Sequence, residues 1–511
     1  MTPSTGAAGS ARVDSRWIWI VLLLLTGSYF VFLLGDHRAP AGQETAAYFG
    51  WLQSTTGHPL LGILLDELIL LVGVWLLARS LFTDPRTWFF VSVAAIGSSL
   101  WIDAVGSNFR SFHALPLLLH LMREVRASRS PAALLAALNL AGLQALGKPP
   151  AQALFAPLSA LLLLLVFRRF LDPRPASTVD TRRIPAAIAV GVVSWIPIAV
   201  LHWTGSGDSV GAGTPPHNGA VWPHPGCLLD LLCGMAVLPD FTLYCGMLTL
   251  GFAVLALSSL GLPPSLRLLG EAGTILLLPV LVSALVGRPF PSLSAPLGRL
   301  LLIFLAGVGV DRWLQRRPFP RLAFPLVGVG LLLLAGGLFY LSIQVPTTPD
   351  LKGAAAGIFG GGSRDRVSPL LDDRNTVREL LDISGMWALF ASGLFFLAGA
   401  GRRAAPLAIA LALLLHPLDV FGWKMRITFL RTQGEGEVHQ QRRPLTASHW
   451  PPAGEPKDNI ALGRPESAWR RGAFFLLGVN ALLWIAGLAM IAVRQATRPS
   501  FETPAAGTDH G

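Results

Sequence analysis

The sequence predicts an all-α protein that crosses a membrane many times and has no large soluble domain. Only 14% of its 511 residues are charged, against about 25% in soluble domains, and the mean hydropathy is +0.56. Apolar stretches of about 20 residues recur along the whole chain, as expected of transmembrane helices. Lipid leaves backbone groups without partners, so a span must be a helix or belong to a closed barrel. The uniformly apolar runs do not alternate as barrel strands do.

The first predicted span is an apolar run close to the N-terminus. Arg12 and Arg16 precede an apolar stretch from Trp17 to Leu34. This stretch is long for a signal peptide, and no A-x-A-like cleavage site follows it, so we expect a retained helix. The same criteria give about fourteen spans in all. They are residues 17–34, 59–81, 88–104, 107–122, 131–146, 150–167, 185–202, 239–260, 269–287, 296–314, 322–341, 384–401, 403–421 and 472–493.

Arginine placement predicts the orientation of these spans, because short cytoplasmic loops are enriched in Arg and Lys. If the N-terminus is cytoplasmic, the short inner loops and tail hold Arg79, Arg86, Arg123, Arg126, Arg129, Arg168, Arg169, Arg174, Arg182, Arg183, Arg267, Arg312, Arg316, Arg317, Arg321, Arg402, Arg403, Arg494 and Arg498. The short outer loops hold only Arg38, Lys148 and Arg288. We therefore expect a protein of the bacterial cytoplasmic membrane with both termini in the cytoplasm. The net charge of +11 then serves topology and lipid contact, and no nucleic-acid partner is expected.

The chain divides into a transmembrane core with short polar additions. The predicted parts are a cytoplasmic N-terminus (1–16), the core (17–421), an extracytoplasmic loop (422–471), a last helix (472–493) and a cytoplasmic tail (494–511). Within the core, the outer segment 342–383 contains "DDRNTVRELLDI". Its apolar spacing predicts a short amphipathic helix lying on the membrane. No internal repeat is visible.

Ionisable residues inside spans are the first candidates for function, because each costs roughly 2.5–3.5 kcal/mol at a helix centre. Asp66 and Glu67 lie inside the second span. Neighbouring helical positions diverge by about 100°, so at most one of the two faces a given cavity. The alternative is an internal ion pair that only holds helices together. Asp311 and Arg312 are expected to form an interfacial pair.

The remaining polar motifs predict structural roles more readily than chemistry. The three cysteines, Cys227, Cys233 and Cys245, form no CxxC pair. Cys227 and Cys233 could pair in an oxidising compartment, and the alternative is that the cysteines are small buried side chains. The stretch "HPLDVF" (416–421) closes the thirteenth predicted span and is expected to cap it at the interface. No Walker A, GxGxxG or HExxH motif occurs.

Several stretches, taken in order, resemble the YfhO-like membrane proteins, a branch of the GT-C superfamily of lipid-dependent glycosyltransferases. They are "GD" after the first span with "TGHPL" before the second, "SNFRSFHALPLLLHLMREV", "LGKPPAQALFAPL", "FPSLSAPLGRLLLIFLAGVGVDRWL" and "HPLDVFGW". The likeness covers residues 17–421. Lys148 stands where the family has a His, Gln152 is displaced, and loop 422–471 takes the place of a larger extracytoplasmic domain.

The resemblance implies that a sugar moves from a polyprenyl-phosphate carrier in the membrane to a glycan or protein acceptor on the extracytoplasmic side. Asp36 would act as general base on the acceptor hydroxyl, with Glu44 as a second carboxylate. Cationic side chains would stabilise the departing lipid phosphate. The substrate-binding candidates are Arg110, His113, Lys148, Gln152, Arg299 and Asp66. Some enzymes of this superfamily use a divalent metal near these acids, and no residue pattern here requires one.

Two other functions stay open on the sequence. A transporter of lipid-linked sugars would use the same cavity without chemistry, and broken helices in paired positions would favour it. A non-catalytic membrane subunit would keep the fold and dock a membrane protein partner.

Overall fold

The computed structural model describes a helical bundle. The described residues are 15–35, 60–98, 113–128, 133–134, 136–138, 140, 231–234, 244–260, 294–315, 319–320, 322–347, 373–401 and 404–441, and they contain no strand. The main helices are α1 (Ser15–Gly35), α2 (Leu60–Leu81), α3 (Pro85–Ser98), α4 (Leu115–Ser128), α5 (Met247–Leu260), α6 (Ser294–Leu314), α7 (Ala323–Gln344), α8 (Arg374–Gly399) and α9 (Ala405–Gln441). A 3₁₀ turn, Val345–Thr347, follows α7.

The all-α prediction is confirmed for this part of the chain. Among the described residues, three helices are long and apolar enough to cross a membrane, namely α7, α8 and the Ala405–Ile427 portion of α9. The predicted spans 150–167, 185–202, 269–287 and 472–493 lie outside the described residues. The full count of about fourteen therefore stays a prediction.

Helix α8 begins ten residues before the predicted span. The segment expected to lie on the membrane as a separate helix instead continues into the apolar run, from Arg374 to Gly399. Its apolar positions Val377, Leu380 and Leu381 are buried in the core of the bundle. Asp373 caps the helix by accepting hydrogen bonds from the Asn375 N–H (3.0 Å) and the Thr376 hydroxyl (2.6 Å). The amphipathic face was recognised correctly, but it packs on neighbouring helices rather than on lipid.

Helix α9 extends past its predicted end at residue 421. It runs to Gln441, twenty residues into the segment predicted as a loop. No proline occurs between Pro417 and Pro444, and the Lys, Arg, Glu and Gln residues of this stretch are good helix formers. Polarity alone therefore misplaced the end of the helix.

Helix α5 begins later than the span predicted from residue 239. Residues 244–246 are not helical, and Gly246 has φ +94°. Such a backbone conformation favours glycine. The helix therefore starts at Met247, directly after a glycine whose backbone conformation hydropathy did not reveal.

The chain forms two compact units. The first comprises residues 1–45, 52–113 and 216–450, and the second comprises 46–51, 114–215 and 451–511. In the second unit, α4 has a buried apolar stripe that includes Leu117, Leu118 and Leu121. Ala133, Ala136 and Leu140 are buried as well.

Helix α3 is central to the first unit. Ten of its 14 residues are buried, and it packs against α1, α2, α6 and α9. Helices α7 and α8 pair along their length, as do α5 and α6. Rings of Phe90, Phe252 and Phe395 connect these pairs, with centroids 5.5 Å and 5.0 Å apart. The buried charged side chains described in the first unit, Glu67, Arg299, Asp311, Asp419 and Lys424, lie around the two ends of α3.

Candidate functional site

Most of the predicted site residues lie outside the described part of the chain. These are Asp36, Glu44, Arg110, Lys148 and Gln152. The backbone of Asp66 belongs to α2, but its side chain is outside the described residues too. The structure therefore places two predicted side chains, His113 and Arg299.

Arg299 lies near the start of α6 and is buried, with 9% of its surface exposed. Its guanidinium Nη1 donates a hydrogen bond to the carbonyl oxygen of Ser98, 2.9 Å away. A cation is favourable at this place, because the C-terminal end of a helix carries partial negative charge. His113, which precedes α4, is also buried, with 4% exposed.

A second cation meets the last described turn of α3. Lys424 of α9 donates from Nζ to the carbonyl oxygen of Ile96 at 2.9 Å and forms an ion pair with Glu67 of α2 at 3.2 Å. The side chains are 0% and 1% exposed. The internal ion pair considered from the sequence is thus confirmed for Glu67. Lys424 was missed because it fell in the predicted loop, and its apolar neighbours Trp423, Met425 and Ile427 were the available signal.

Arg299 and Lys424 approach α3 from nearly opposite sides. Their carbonyl acceptors are two residues apart, which corresponds to a rotation of about 200° around the helix. Two cations and the Glu67 carboxylate therefore surround one helix end. This arrangement compensates much of the cost of burying each charge alone.

The opposite end of α3 is held by Asp311, which also belongs to α6. Its Oδ1 accepts hydrogen bonds from the backbone N–H groups of Thr83 and Asp84, each at 3.2 Å. Asp311 is 9% exposed and also accepts from the Gln315 side chain. The carboxylate thus serves the start of α3, and the interfacial pairing with Arg312 expected from sequence adjacency is not what positions it.

The bundle consequently has two chemically different ends. One end carries Asp84 with Arg86, paired at 2.6 Å, and Arg79 stacked over the Trp88 ring at 5.9 Å. The other end carries Glu67, Arg299 and Lys424, together with Asp419 of α9. Antiparallel packing of α3 and α6 produces this separation.

Asp419 caps the start of α5 from a different helix. Its carboxylate accepts a hydrogen bond from the Tyr244 hydroxyl at 2.6 Å and from the Met247 N–H at 2.8 Å. Asp419 is 1% exposed. The capping role predicted for "HPLDVF" is therefore correct in kind but wrong in place, because this stretch lies inside α9 and caps a neighbouring helix rather than its own end.

His416 lies one turn before Asp419 and is fully buried. Its ring stacks on Phe90 with centroids 4.0 Å apart, and Nε2 is 3.3 Å from the Phe90 carbonyl oxygen. Within the described residues, Nδ1 has no hydrogen-bond partner. His416, Asp419 and Trp423 are spaced by three and four residues, which places them on one helix face.

The described residues offer no metal site. No group of three or more His, Cys, Asp or Glu side chains in the described ranges could hold a metal ion. Cys233 and Cys245 are buried, as the small-side-chain alternative predicted, and Cys227 lies outside the described residues.

No family model, curated protein or solved structure matches this chain.

Proposed function

We propose that this chain is a multi-pass membrane glycosyltransferase of the GT-C type. It would move a sugar from a polyprenyl-phosphate carrier to an extracytoplasmic glycan or protein. The stretches that resemble YfhO-like proteins, and the order in which they follow one another along the chain, support this proposal. The structural observation that supports it most is the burial of Arg299, a predicted phosphate ligand, in the same polar end of the bundle as Glu67 and Lys424.

The two unlike ends of the first unit support the proposed orientation. Arg79, Arg86 and Arg312 are near one end of α2, α3 and α6, and the positive-inside rule puts such arginines in the cytoplasm. Arg299 and its neighbours would then face the extracytoplasmic half of the membrane. Polyprenyl-phosphate sugars present their head groups there in the proposed reaction. We propose about fourteen spans in total, with both termini cytoplasmic, in a bacterial cytoplasmic membrane.

The chemistry of Arg299 suits the proposed role. A guanidinium presents five N–H donors in a planar fork that matches phosphate oxygens. The Ser98 carbonyl orients one arm of this fork at 2.9 Å. A positioned guanidinium would stabilise negative charge on the departing lipid phosphate, while Asp36 deprotonates the acceptor hydroxyl.

The test is a transfer assay with purified full-length protein in lipid bilayers. Polyprenyl-phosphate monosaccharides serve as donors, and a cell-envelope extract supplies acceptors. We expect Asp36→Ala to abolish transfer without reducing expression. Asp382→Ala is the matched control, because the Asp382 side chain is 46% exposed and its ion pair with Arg378 is long, at 3.9 Å. Normal transfer by Asp36→Ala would contradict the proposed mechanism.

A transporter of lipid-linked sugars is the second candidate, and one observation favours it. Helix α5 begins inside the bundle, where Asp419 of another helix satisfies its first N–H group. Helix ends at membrane depth are typical of transporter binding sites. Movement of intact donor between bilayer leaflets, with no transfer, would favour this candidate. If the protein shows neither sugar transfer nor donor movement and copurifies with a stoichiometric membrane partner, it is a non-catalytic subunit.

A further inference from the structure

Helix α9 contains a proline in its interior, and the contacts of the helix change there. Pro417 has no N–H group, so the carbonyl of Leu413 cannot receive the usual helical hydrogen bond. Interior prolines are the commonest sites at which helices bend. Pro417 therefore divides α9 into two parts that can move with some independence.

The part before Pro417 contacts the bundle through apolar side chains up to His416, which stacks on Phe90. Ala408 and Ala412 are buried, whereas Leu407 and Leu414 are 55% and 62% exposed. The exposed leucines of this part give it an outer surface that is compatible with lipid. Among the described side chains of this part, His416, next to the proline, makes the polar contact, with the Phe90 carbonyl oxygen at 3.3 Å.

The part after Pro417, residues 418–427, is here called the latch segment. Its polar side chains bond to the ends of other helices. Asp419 accepts from the Met247 N–H at the start of α5, and Lys424 donates to the Ile96 carbonyl oxygen of α3. Trp423 donates from Nε1 to the Gly234 carbonyl oxygen at 2.7 Å. The latch segment thus covers backbone groups on three separate parts of the bundle.

Glycines on the facing segments receive the latch segment closely. A Cβ atom at Gly97 would lie 2.7 Å from Val420 Cβ, and one at Gly246 would lie 3.0 Å from Asp419 Oδ2. A Cβ at Gly234 would lie 2.5 Å from Trp423 Nε1. The surface that the latch segment packs against therefore has room for it only while Gly97, Gly234 and Gly246 lack side chains. On the latch segment itself, Gly422 faces away, with no heavy atom within 4 Å of its Cβ position.

The closed position depends on an ion pair whose net contribution is small. Burying Lys424 and Glu67 costs desolvation energy that their attraction only approximately offsets. Water at the polar end of the bundle could replace the hydrogen bonds to backbone groups when the segment leaves. A hinge at one end and exchangeable polar contacts at the other are the two parts that a gate requires.

We propose that the latch segment is a gate hinged at Pro417, which closes over the end of the bundle that holds Arg299. In the closed position it shields Glu67, the last described turn of α3 and the start of α5. Opening admits a ligand to this end. The proposal applies to either candidate function above, because transfer and transport both need access to that end.

Hydrogen exchange of the full-length protein in lipid nanodiscs tests the gate without an activity assay. Pro417→Ala restores the missing helical hydrogen bond, and we expect the amides of the latch segment to exchange at least about tenfold more slowly. Pro406→Ala is the matched control on the same helix. Because Pro406 lies in the first turn, where no helical bond is lost, its replacement should leave the latch segment unchanged.

A second variant removes the ion pair instead of the hinge. Glu67→Gln/Lys424→Met also loses the Lys424 hydrogen bond to the Ile96 carbonyl oxygen, so we expect exchange of the latch segment to rise about tenfold, with residues 405–414 unaffected. Unchanged exchange in Pro417→Ala would overturn the proposal, and so would equal acceleration of both parts of α9 in the double variant. If the double variant does not fold, the Pro417→Ala comparison alone decides.

Discussion

Lys424 and Glu67 are 357 residues apart in the sequence, yet their charged atoms lie 3.2 Å apart in the bundle interior. Removing one partner would leave the other charge buried without compensation. We therefore expect Lys424→Met to lower the free energy of unfolding by about 3–5 kcal/mol. Thermal unfolding of the purified protein in detergent measures the change.

The double variant Glu67→Gln/Lys424→Met distinguishes a pairing effect from a loss of packing. With both charges gone, most of the lost stability should return, because apolar replacements of buried pairs are often tolerated. A double variant as unstable as Lys424→Met would show that the lysine stem or its bond to Ile96 matters more than the pair.

Reversing the charges gives a separate prediction. In Glu67→Lys/Lys424→Glu the attraction between the two side chains is kept. However, the new carboxylate would face the Ile96 carbonyl oxygen, which now receives a hydrogen bond at 2.9 Å. Two acceptors repel, so we expect the reversed pair to be less stable than the neutral double variant. Equal unfolding temperatures for the two double variants would contradict this.

Gly246→Ala is expected to destabilise the protein by roughly 1–3 kcal/mol, because a side chain is strained at this backbone conformation. The φ angle is +94°, and a Cβ would approach Asp419 to 3.0 Å. Gly336→Ala in α7 is the control, since it has open space around it and lies within a helix. There alanine should be neutral or stabilising by up to about 1 kcal/mol. Similar effects of both changes on thermal unfolding would argue against strain at Gly246.

Asp311→Ala is expected to cost about 0.5–2 kcal/mol, because the backbone N–H groups of Thr83 and Asp84 lose their acceptor. Asp311→Asn keeps an acceptor oxygen and should lose less. If Asp311 acts as a cap for the start of α3, the unfolding temperature should fall from the native protein to Asp311→Asn and further to Asp311→Ala. If Asn were as destabilising as Ala, charge rather than hydrogen bonding would hold the start of α3.

Membrane orientation can be measured with an impermeant thiol reagent on intact cells. Pro346 and Ala400 are exposed and lie near opposite ends of α7 and α8. In a chain whose Cys227, Cys233 and Cys245 are replaced by Ser, the proposed orientation predicts that Pro346→Cys labels from outside, whereas Ala400→Cys labels only after the cells are opened. The reverse pattern would invert the proposed topology.

Hydropathy predicted the apolar helices well, because a span needs little more than length and apolar composition. The starts of α1, α2, α6 and α7 fall within two residues of prediction. The start of α8 and the end of α9 were misplaced, since polar residues that favour helices resemble loops by hydropathy. The start of α5 depends on a glycine at positive φ and on an acceptor from another helix, and neither produces a local pattern.

The polar cluster was predicted only in part. Arg299 and Glu67 were identified because a charge within an apolar run is visible in the sequence. Lys424, Asp419 and Tyr244 were not expected to meet them, because such convergence depends on which helices become neighbours. The five predicted residues outside the described ranges remain predictions.

Helix α6 holds α3 at both ends, through Asp311 at the start and Arg299 at the last described turn. The two side chains are twelve positions apart, or about 18 Å along the helix, close to the roughly 20 Å of backbone they enclose. A single residue inserted between them would turn one by about 100° away from its target. The two helices are therefore constrained to change length together during evolution, and an insertion in one should be accepted only with a compensating insertion in the other.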